Sequence, residues 1–188
     1  MQEYAEKLQS GISLVNSKKI LIIRGFVAYA FDPANGEWTR LADSRRDRSY
    51  FEAVRLGTYV YAIGTYNITA SGTVERLSLV DNRWEICEPM PVKLRSVSAV
   101  VVEDSIYVTG GICPSSMEAS DAVYIYQPNQ SSLDVGAASA NASASASAGV
   151  DASPDTDAVV GRWTTATDKH MMIPRYRHGS VVYQVSNP

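Results

Sequence analysis

Short apolar stretches separated by turn residues dominate the chain from residue 20 onward. Most are four to seven residues long and rich in Val, Ile and Tyr, with Gly, Asn, Asp or Pro between them. This pattern is typical of β-strands joined by tight turns. No stretch between them has the length and period of an amphipathic helix, so the pattern predicts an all-β fold. The predicted strands are residues 20–23, 27–31, 37–41, 51–56, 59–63, 74–80, 83–87, 97–102, 105–110, 122–126, 161–166 and 179–184.

Two segments depart from the strand pattern. Residues 1–19 carry apolar side chains at a weak helical spacing, interrupted by Gly11, and predict a helical or frayed lead-in. Residues 131–159 are nearly all Ala, Ser, Gly and Asp. Because such a segment has too little apolar surface to offset the entropy of ordering its backbone, we expect a disordered insert. Its alanine content leaves a helix as the alternative.

An internal repeat is marked by the three tryptophans. Trp38 and Trp84 are 46 residues apart, and Trp84 and Trp163 are 79 apart, which returns to a similar spacing once the insert is removed. A strand and a tight turn precede each Trp, and an arginine follows ten to twelve residues later. A period of this length with four short strands is the signature of a β-propeller blade. A Trp in each blade is expected to fill the gap to the adjacent sheet.

The repeat resembles the Kelch repeat, and it is most similar to that of the Kelch-like (BTB–Kelch) proteins. The family form is roughly Arg, an apolar strand, Tyr-x-x-Gly-Gly, then Tyr-Asp-Pro, Asn and Trp. Gly110-Gly111 matches the double glycine, whereas Arg24-Gly25 and Gly64-Thr65 keep one glycine each. The positions assigned a structural role in the repeat are Gly25, Trp38, Arg48, Gly64, Trp84, Arg95, Gly110, Gly111, Trp163 and Arg175.

The resemblance implies four-stranded antiparallel blades over residues 20–184. The predicted blades are residues 20–46, 47–90 and 91–170, with the start of a fourth at 171–184. The third contains the insert. Since about three blades fall short of a closed ring, the sequence predicts a partial propeller. It contains no recognisable BTB domain, the family's dimerising and cullin-binding module.

Composition and charge argue against several classes of partner and site. The formal net charge of −3 and the pI near 5.4 argue against nucleic acid or an anionic membrane as partner. With no run of about 18 apolar residues and a polar N-terminus, we expect neither a membrane span nor a signal peptide, and a cytoplasmic location. Cys87 and Cys113 lack CxxC spacing, so they predict reduced thiols and no metal site.

No catalytic motif stands out. His170 and His178 lack the arrangement of a general base, and no nucleotide-binding or hydrolase signature occurs. We therefore expect a non-enzymatic protein without a cofactor. A Kelch-type copper oxidase is the less favoured alternative, because no recognisable Tyr, Cys and His ligand set is present.

The resemblance also implies where a partner binds. In Kelch-like propellers, one set of loops joins each Trp strand to the next blade, and a second set follows the double glycine. The corresponding candidate residues are Tyr50, Tyr66, Asn67, Val97, Cys113, Ser115, Ser116, Arg177 and His178. The implied function is substrate recognition in a cullin-type E3 ubiquitin-ligase adaptor that binds a protein or peptide, with the cullin reached through a BTB domain. An actin-binding Kelch protein is the alternative.

Overall fold

The computed structural model describes residues 12–16, 19–66, 72–128 and 160–175. These residues form twelve strands in three antiparallel sheets, and each sheet consists of four strands that follow one another in the chain. The prediction of an all-β fold built from four-stranded blades is confirmed. The described part contains no helix, and therefore none long and apolar enough to cross a membrane.

The first sheet begins earlier than predicted. It contains β1 (Ile12–Asn16), β2 (Lys19–Arg24), β3 (Val27–Asp32) and β4 (Glu37–Arg40). The expected helical lead-in is thus wrong for residues 12–16, where β1 pairs with β2 and places Ile12 opposite Ile23. Pairing with the apolar strand β2 satisfies the backbone of this β-branched segment better than a short, glycine-interrupted helix would.

The second and third sheets follow the predicted strands closely. The second contains β5 (Glu52–Leu56), β6 (Tyr59–Ile63), β7 (Val74–Ser78) and β8 (Arg83–Cys87). The third contains β9 (Ser98–Val102), β10 (Ser105–Thr109), β11 (Ala122–Gln127) and β12 (Arg162–His170).

Strand β12 extends beyond its predicted end at residue 166, and its pairing with β11 is irregular between Ala122 and Tyr124. The predicted insert at 131–159 and the predicted strand at 179–184 lie outside the described residues. Of the predicted fourth blade, the structure describes residues 171–175, which form no strand.

The three sheets pack face to face through two apolar cores. One core lies between the first and second sheets and includes Leu21, Val60 and Leu77. The other lies between the second and third sheets and includes Tyr61 and Tyr126. The first strands of the sheets also contact one another, β1 with β5 and β5 with β9. The sheets are therefore arranged like successive blades around the inner strands β1, β5 and β9.

Two of the three tryptophans fill the gap between adjacent sheets, as predicted. Trp84 is only 3% exposed, and its Nε1 donates to the carbonyl of Ala42 at 2.8 Å. Trp163 is packed against the second core, and its Nε1 donates to the carbonyl of Glu88 at 2.7 Å. Trp38 does not follow the prediction, because it is 57% exposed and packs on Phe31 of its own sheet at 4.7 Å between ring centroids. No described sheet lies on its other side.

Candidate functional site

The loops that carry most of the predicted binding residues emerge at one edge of the sheets. In an antiparallel four-stranded blade, the loop after the second strand and the loop after the fourth strand lie at the same edge. Loops of this type follow β2, β4, β6, β8 and β10. The structure therefore brings residues far apart in the chain to one common edge, on a scaffold of packed sheets that suits binding.

Three side chains from these loops form a stacked group. The rings of Tyr50 and Tyr66 lie 5.3 Å apart between centroids. The guanidinium carbon of Arg95 lies 4.5 Å from the Tyr66 ring centroid, within the range of a cation–π contact. Arg95 also approaches the sulfur of Met117, with Nη2 at 3.4 Å from Sδ. We call Tyr50, Tyr66, Arg95 and Met117 the mouth cluster.

The backbone under the mouth cluster is held in an unusual conformation. Tyr50, Ser96 and Met117 have positive φ values of 53°, 53° and 61°. Left-handed conformations at non-glycine residues cost about 1–3 kcal/mol each and concentrate at functional sites. The amide of Ser96 donates to the carbonyl of Tyr50 at 2.8 Å, and the amide of Tyr66 donates to the carbonyl of Ser49 at 2.7 Å. The first bond joins loops of the second and third sheets, and the second joins two loops at the edge of the second sheet.

The sequence repeat matches Arg48 with Arg95, but the two residues differ by one position relative to their strands and have different surroundings. Arg48 is fully buried, and its Nη2 lies 2.6 Å from Oε2 of Glu75. Its Nη1 donates to the carbonyls of Gly64 and Thr73 at 2.9 and 3.1 Å. Burial lowers the pKa of the Arg48 guanidinium, and the Glu75 carboxylate opposes that shift. Arg48 therefore stabilises the second sheet from the inside, through its contacts with Gly64, Thr73 and Glu75.

Arg95 does not repeat this ion pair because it lies one residue closer to its strand than Arg48 does, so the buried Leu94 takes the place of Arg48. The third sheet also lacks the carboxylate. Glu75 lies opposite Ala62, the fourth residue of β6, and the corresponding place opposite Val108 is taken by Tyr124. The Arg95 backbone still pairs with Ile112. Its half-buried guanidinium extends to Tyr66 and Met117 instead. The backbone of Arg95 therefore has a structural role through its pairing with Ile112, whereas the Arg95 side chain is part of the mouth cluster.

Cys113 lies in the same loop as Met117 and carries an unusually acidic thiol. Its Sγ is 3.1 Å from the Ser115 hydroxyl oxygen. Hydrogen bonding to that hydroxyl, followed by bonds from the backbone amides of Ser116 and Ser115, lowers the pKa of Cys113 to about 6. A large fraction of this thiol is therefore ionised at neutral pH. By contrast, burial raises the pKa of Cys87 to about 11.

The remaining predicted binding residues have different outcomes. Ser115 and Ser116 are exposed beside Cys113. Val97 is only 3% exposed and packs in the core between the second and third sheets, so its assignment to a binding surface is corrected. Its counterpart in the second sheet, Phe51, is likewise buried, and this shared apolar character is a signal that sequence reasoning missed. The candidates outside the described residues are Asn67, Arg177 and His178.

Metal binding has no support in the described part of the chain. Its His, Cys, Asp and Glu side chains form no group of three or more that could hold an ion. The chemistry of the mouth cluster is instead that of a recognition surface, with aromatic rings, a cation and a flexible thioether. Met117 was not predicted, although a methionine directly after a pair of serines in a glycine-initiated loop offered a signal.

Comparison with known proteins agrees with this architecture. The Kelch motif family matches residues 47–91, which contain the second sheet. Kelch-like protein 15 of Danio rerio is 33% identical over 103 residues, covering 54% of this chain and 17% of that protein. Kelch-like ECH-associated protein 1B of Danio rerio is 32% identical over 87 residues, covering 44% and 15%. The matched segments thus span less than a fifth of these two relatives.

The solved structure of YjhT resembles this chain with a TM-score of 0.57 and 15% sequence identity. The match covers 66% of this chain and 49% of YjhT, and it bears on the fold alone. The three sheets define a repeat protein built of β-propeller blades. The second of these sheets lies within the residues that match the Kelch motif.

Proposed function

We propose that this chain is a protein-interaction module whose mouth cluster binds a peptide segment of a partner protein. The observation that carries the proposal is the 51% exposed ring of Tyr66, which contacts both Tyr50 and the Arg95 guanidinium on a rigid pair of sheets. Tyr and Arg are among the residue types enriched at the energetic centres of protein interfaces. Met117, 59% exposed, adds a side chain that adapts to different apolar surfaces.

The chemistry of Arg95 favours a partner that presents a carboxylate. Among the described residues, the Arg95 guanidinium contacts the Tyr66 ring and the Met117 sulfur. A guanidinium fork is suited to hold a carboxylate through two parallel hydrogen bonds. We therefore infer that the bound peptide contains Asp or Glu next to an apolar residue, with the apolar residue resting on Tyr66 and Met117.

Similarity to Kelch-like proteins supports a more specific proposal. In it, the chain is the substrate-recognition part of a cullin-type E3 ubiquitin-ligase adaptor, and it performs no catalysis itself. The two levels are separable, because peptide binding concerns the described residues and the adaptor role concerns the whole gene product.

Peptide binding is tested with sequences selected from a random peptide library on the wild-type chain. Fluorescence anisotropy then compares Arg95→Ala, Tyr66→Ala and the matched control Arg83→Ala, an exposed arginine on β8 that pairs with Glu85. We expect enrichment of acidic peptides and a loss of affinity of about tenfold or more for the first two variants. Equal affinity of Arg95→Ala and Arg83→Ala would overturn the proposed site.

The adaptor role is tested by co-purification of the full gene product with a cullin scaffold. We expect a stable complex. Absence of cullin from a preparation that still binds the selected peptide would remove the ligase proposal and leave the interaction module intact.

A further inference from the structure

A small cavity lies beside the outer strands β7 and β8 of the second sheet. It has a volume of about 200 Å³. Pockets that bury a whole small molecule usually measure roughly 300–1,000 Å³, so this cavity has a size suited to a single side chain. Its lining includes Arg46, Thr73, Glu75, Ile86, Cys87 and Pro89.

The cavity and the mouth cluster are built from the same two loops. Arg46 and Tyr50 both lie between β4 and β5, and Thr73 and Tyr66 both lie between β6 and β7. The amide of Gly64 donates to the carbonyl of Thr73 at 3.1 Å, which holds the two ends of the second loop together. The step of about four residues from Arg46 to Tyr50 spans at most about 14 Å, and an extended peptide of about four residues covers that distance. One bound peptide can therefore reach both places.

The hydroxyl of Thr73 is a buried polar group at the wall of this cavity. Its Oγ1 has no hydrogen-bond partner among the described residues. The carboxylate of Glu75 is already engaged, because Oε2 accepts from Arg48 at 2.6 Å and Oε1 accepts from the Arg45 amide at 3.1 Å. A buried hydroxyl without a partner is costly, and it can both donate and accept. A ligand that brings an amide or a hydroxyl to Thr73 removes that cost.

The repeat does not require a hydroxyl at this position. In the second and third sheets, the second strand ends opposite a valine, Val74 or Val123. The residue before that valine is Thr73 in the second sheet and Ala122 in the third. Since the third sheet forms the same four strands without a hydroxyl there, the Thr73 side chain is free to serve a role other than holding the sheet together.

The surrounding charges favour a neutral occupant. Glu75 is paired with Arg48, and Arg46 adds a second positive charge at the cavity. A cationic side chain would meet these two guanidinium groups, and an anionic one would meet the Glu75 carboxylate, where burying a further charge is costly. Ile86 and Pro89 supply apolar lining that suits an uncharged stem.

We propose that this cavity is a second subsite for the bound peptide and receives one neutral side chain with an apolar stem and a terminal amide or hydroxyl. In the bound state that terminal group forms a hydrogen bond with Oγ1 of Thr73. This inference rests on the proposed function, because the mouth cluster holds the peptide. It adds a specificity determinant within about four residues of the part that rests on the mouth cluster.

The test uses a peptide library in which the residues selected for the mouth cluster are fixed and the flanking positions on either side are randomised. Selection on the wild-type chain is expected to enrich Gln, Asn, Ser, Thr or Tyr at one flanking position. The same library is selected on Thr73→Val, on Ile86→Trp, which fills the cavity, and on the control Arg83→Ala. We expect the flanking preference to disappear for the first two variants and to persist for the control.

Fluorescence anisotropy measures the size of the contact in a double-mutant cycle. Thr73→Val is expected to weaken binding of the selected peptide about fivefold, and to leave unchanged the binding of the same peptide with alanine at the enriched position. Because valine keeps the shape of threonine and removes an unpaired hydroxyl, Thr73→Val is expected to unfold in urea at the wild-type midpoint or above. A loss of affinity in this variant is then not a loss of fold.

The possible failures are distinguishable. A preference that survives in both Thr73→Val and Ile86→Trp, a preference for a charged residue, or no flanking preference at all would overturn the second subsite and leave the mouth cluster intact. Absence of acidic peptides from the initial selection on the wild-type chain would overturn the proposed function and this inference together.

Discussion

The interior of the second sheet and the mouth of the third sheet use the same kinds of side chain for different purposes. Arg48 and Cys87 are buried in the interior, where the arginine is neutralised by Glu75 and the thiol stays protonated. Arg95 and Cys113 lie at the mouth, where the arginine contacts Tyr66 and the thiol ionises readily. The comparison shows that a difference of one residue between a repeat arginine and the start of the following strand decides whether its side chain lies in the interior or at the mouth.

The largest expected difference concerns the two arginines and the stability of the fold. Arg48→Ala leaves the Glu75 carboxylate buried without its partner, and we expect a loss of about 3–5 kcal/mol of unfolding free energy. Arg95→Ala removes a half-exposed cation–π contact and is expected to cost about 1 kcal/mol or less. Urea unfolding of both variants provides the measurement. Equal losses would show that Arg95 is a structural tie after all.

Building both partners of the interior ion pair into the third sheet is expected to restore it there. Leu94→Arg and Tyr124→Glu place a guanidinium and a carboxylate at the positions that Arg48 and Glu75 hold in the second sheet. Each single substitution loses core packing, so we expect each to lower the unfolding free energy by about 2–5 kcal/mol. In a double-mutant cycle the two are expected to show a favourable coupling of about 1–3 kcal/mol, and Tyr124→Gln, the uncharged control, a smaller one. Zero coupling in the cycle would contradict the assignment of Leu94 to the place of Arg48.

The thiols of Cys113 and Cys87 are expected to differ in their rate of alkylation. With a pKa of about 6, Cys113 reacts with iodoacetamide at neutral pH, whereas burial and a pKa of about 11 protect Cys87. Mass spectrometry of the labelled peptides across a pH series is expected to give a midpoint near 6 for Cys113. Ser115→Ala removes the principal hydrogen bond and is expected to move that midpoint upward. An unchanged midpoint would exclude the hydroxyl as the cause.

The same shift predicts the sign of a pH effect on folding. Because the pKa of Cys113 is lowered from its ordinary value of 9, the ionised thiol favours the folded state. Its contribution is complete above pH 9 and is lost as the pH falls through about 6. Comparing the pH dependence of unfolding in the wild type and in Cys113→Ser measures this contribution.

The smallest expected effect concerns the exposed ion pair of the second sheet. Arg83 lies 2.7 Å from Glu85 but is largely solvent-exposed. Solvent screening makes such pairs weak, so we expect Arg83→Ala to change the unfolding free energy by less than about 0.5 kcal/mol. Urea unfolding alongside Arg48→Ala is the measurement. A loss comparable to that of Arg48→Ala would indicate that burial does not distinguish the two pairs.

Sequence analysis predicted the strands and the repeat because both depend on the spacing of residues that are close together in the chain. It identified β5 to β11 with only small differences at their ends. It missed β1 because Ile12–Asn16 is assigned by its pairing with β2, and a weak helical spacing gave the opposite indication. The exposure of Trp38 and the burial of Val97 depend on which sheet lies alongside, and that information is not local.

The candidate site was only partly predictable for the same reason. Tyr50 and Tyr66 were identified from their places after repeat positions, and the structure brings them together. The different role of Arg95 depends on where the next strand begins, because β5 starts four residues after Arg48 and β9 three residues after Arg95. Registers between strands separated by loops are set by three-dimensional packing, so an arginine at a repeat position gives no warning of its partner.

The hydrogen bond from Ser96 to Tyr50 has a consequence for how recognition diversifies. It joins the loops of two neighbouring repeats, so the mouth cluster is a binding surface to which both repeats contribute residues. Exchanging or duplicating a single repeat therefore changes the binding surface on both of its sides and leaves the other blades unaltered. A chain of this kind acquires new binding specificities by recombining its units, without inventing new folds.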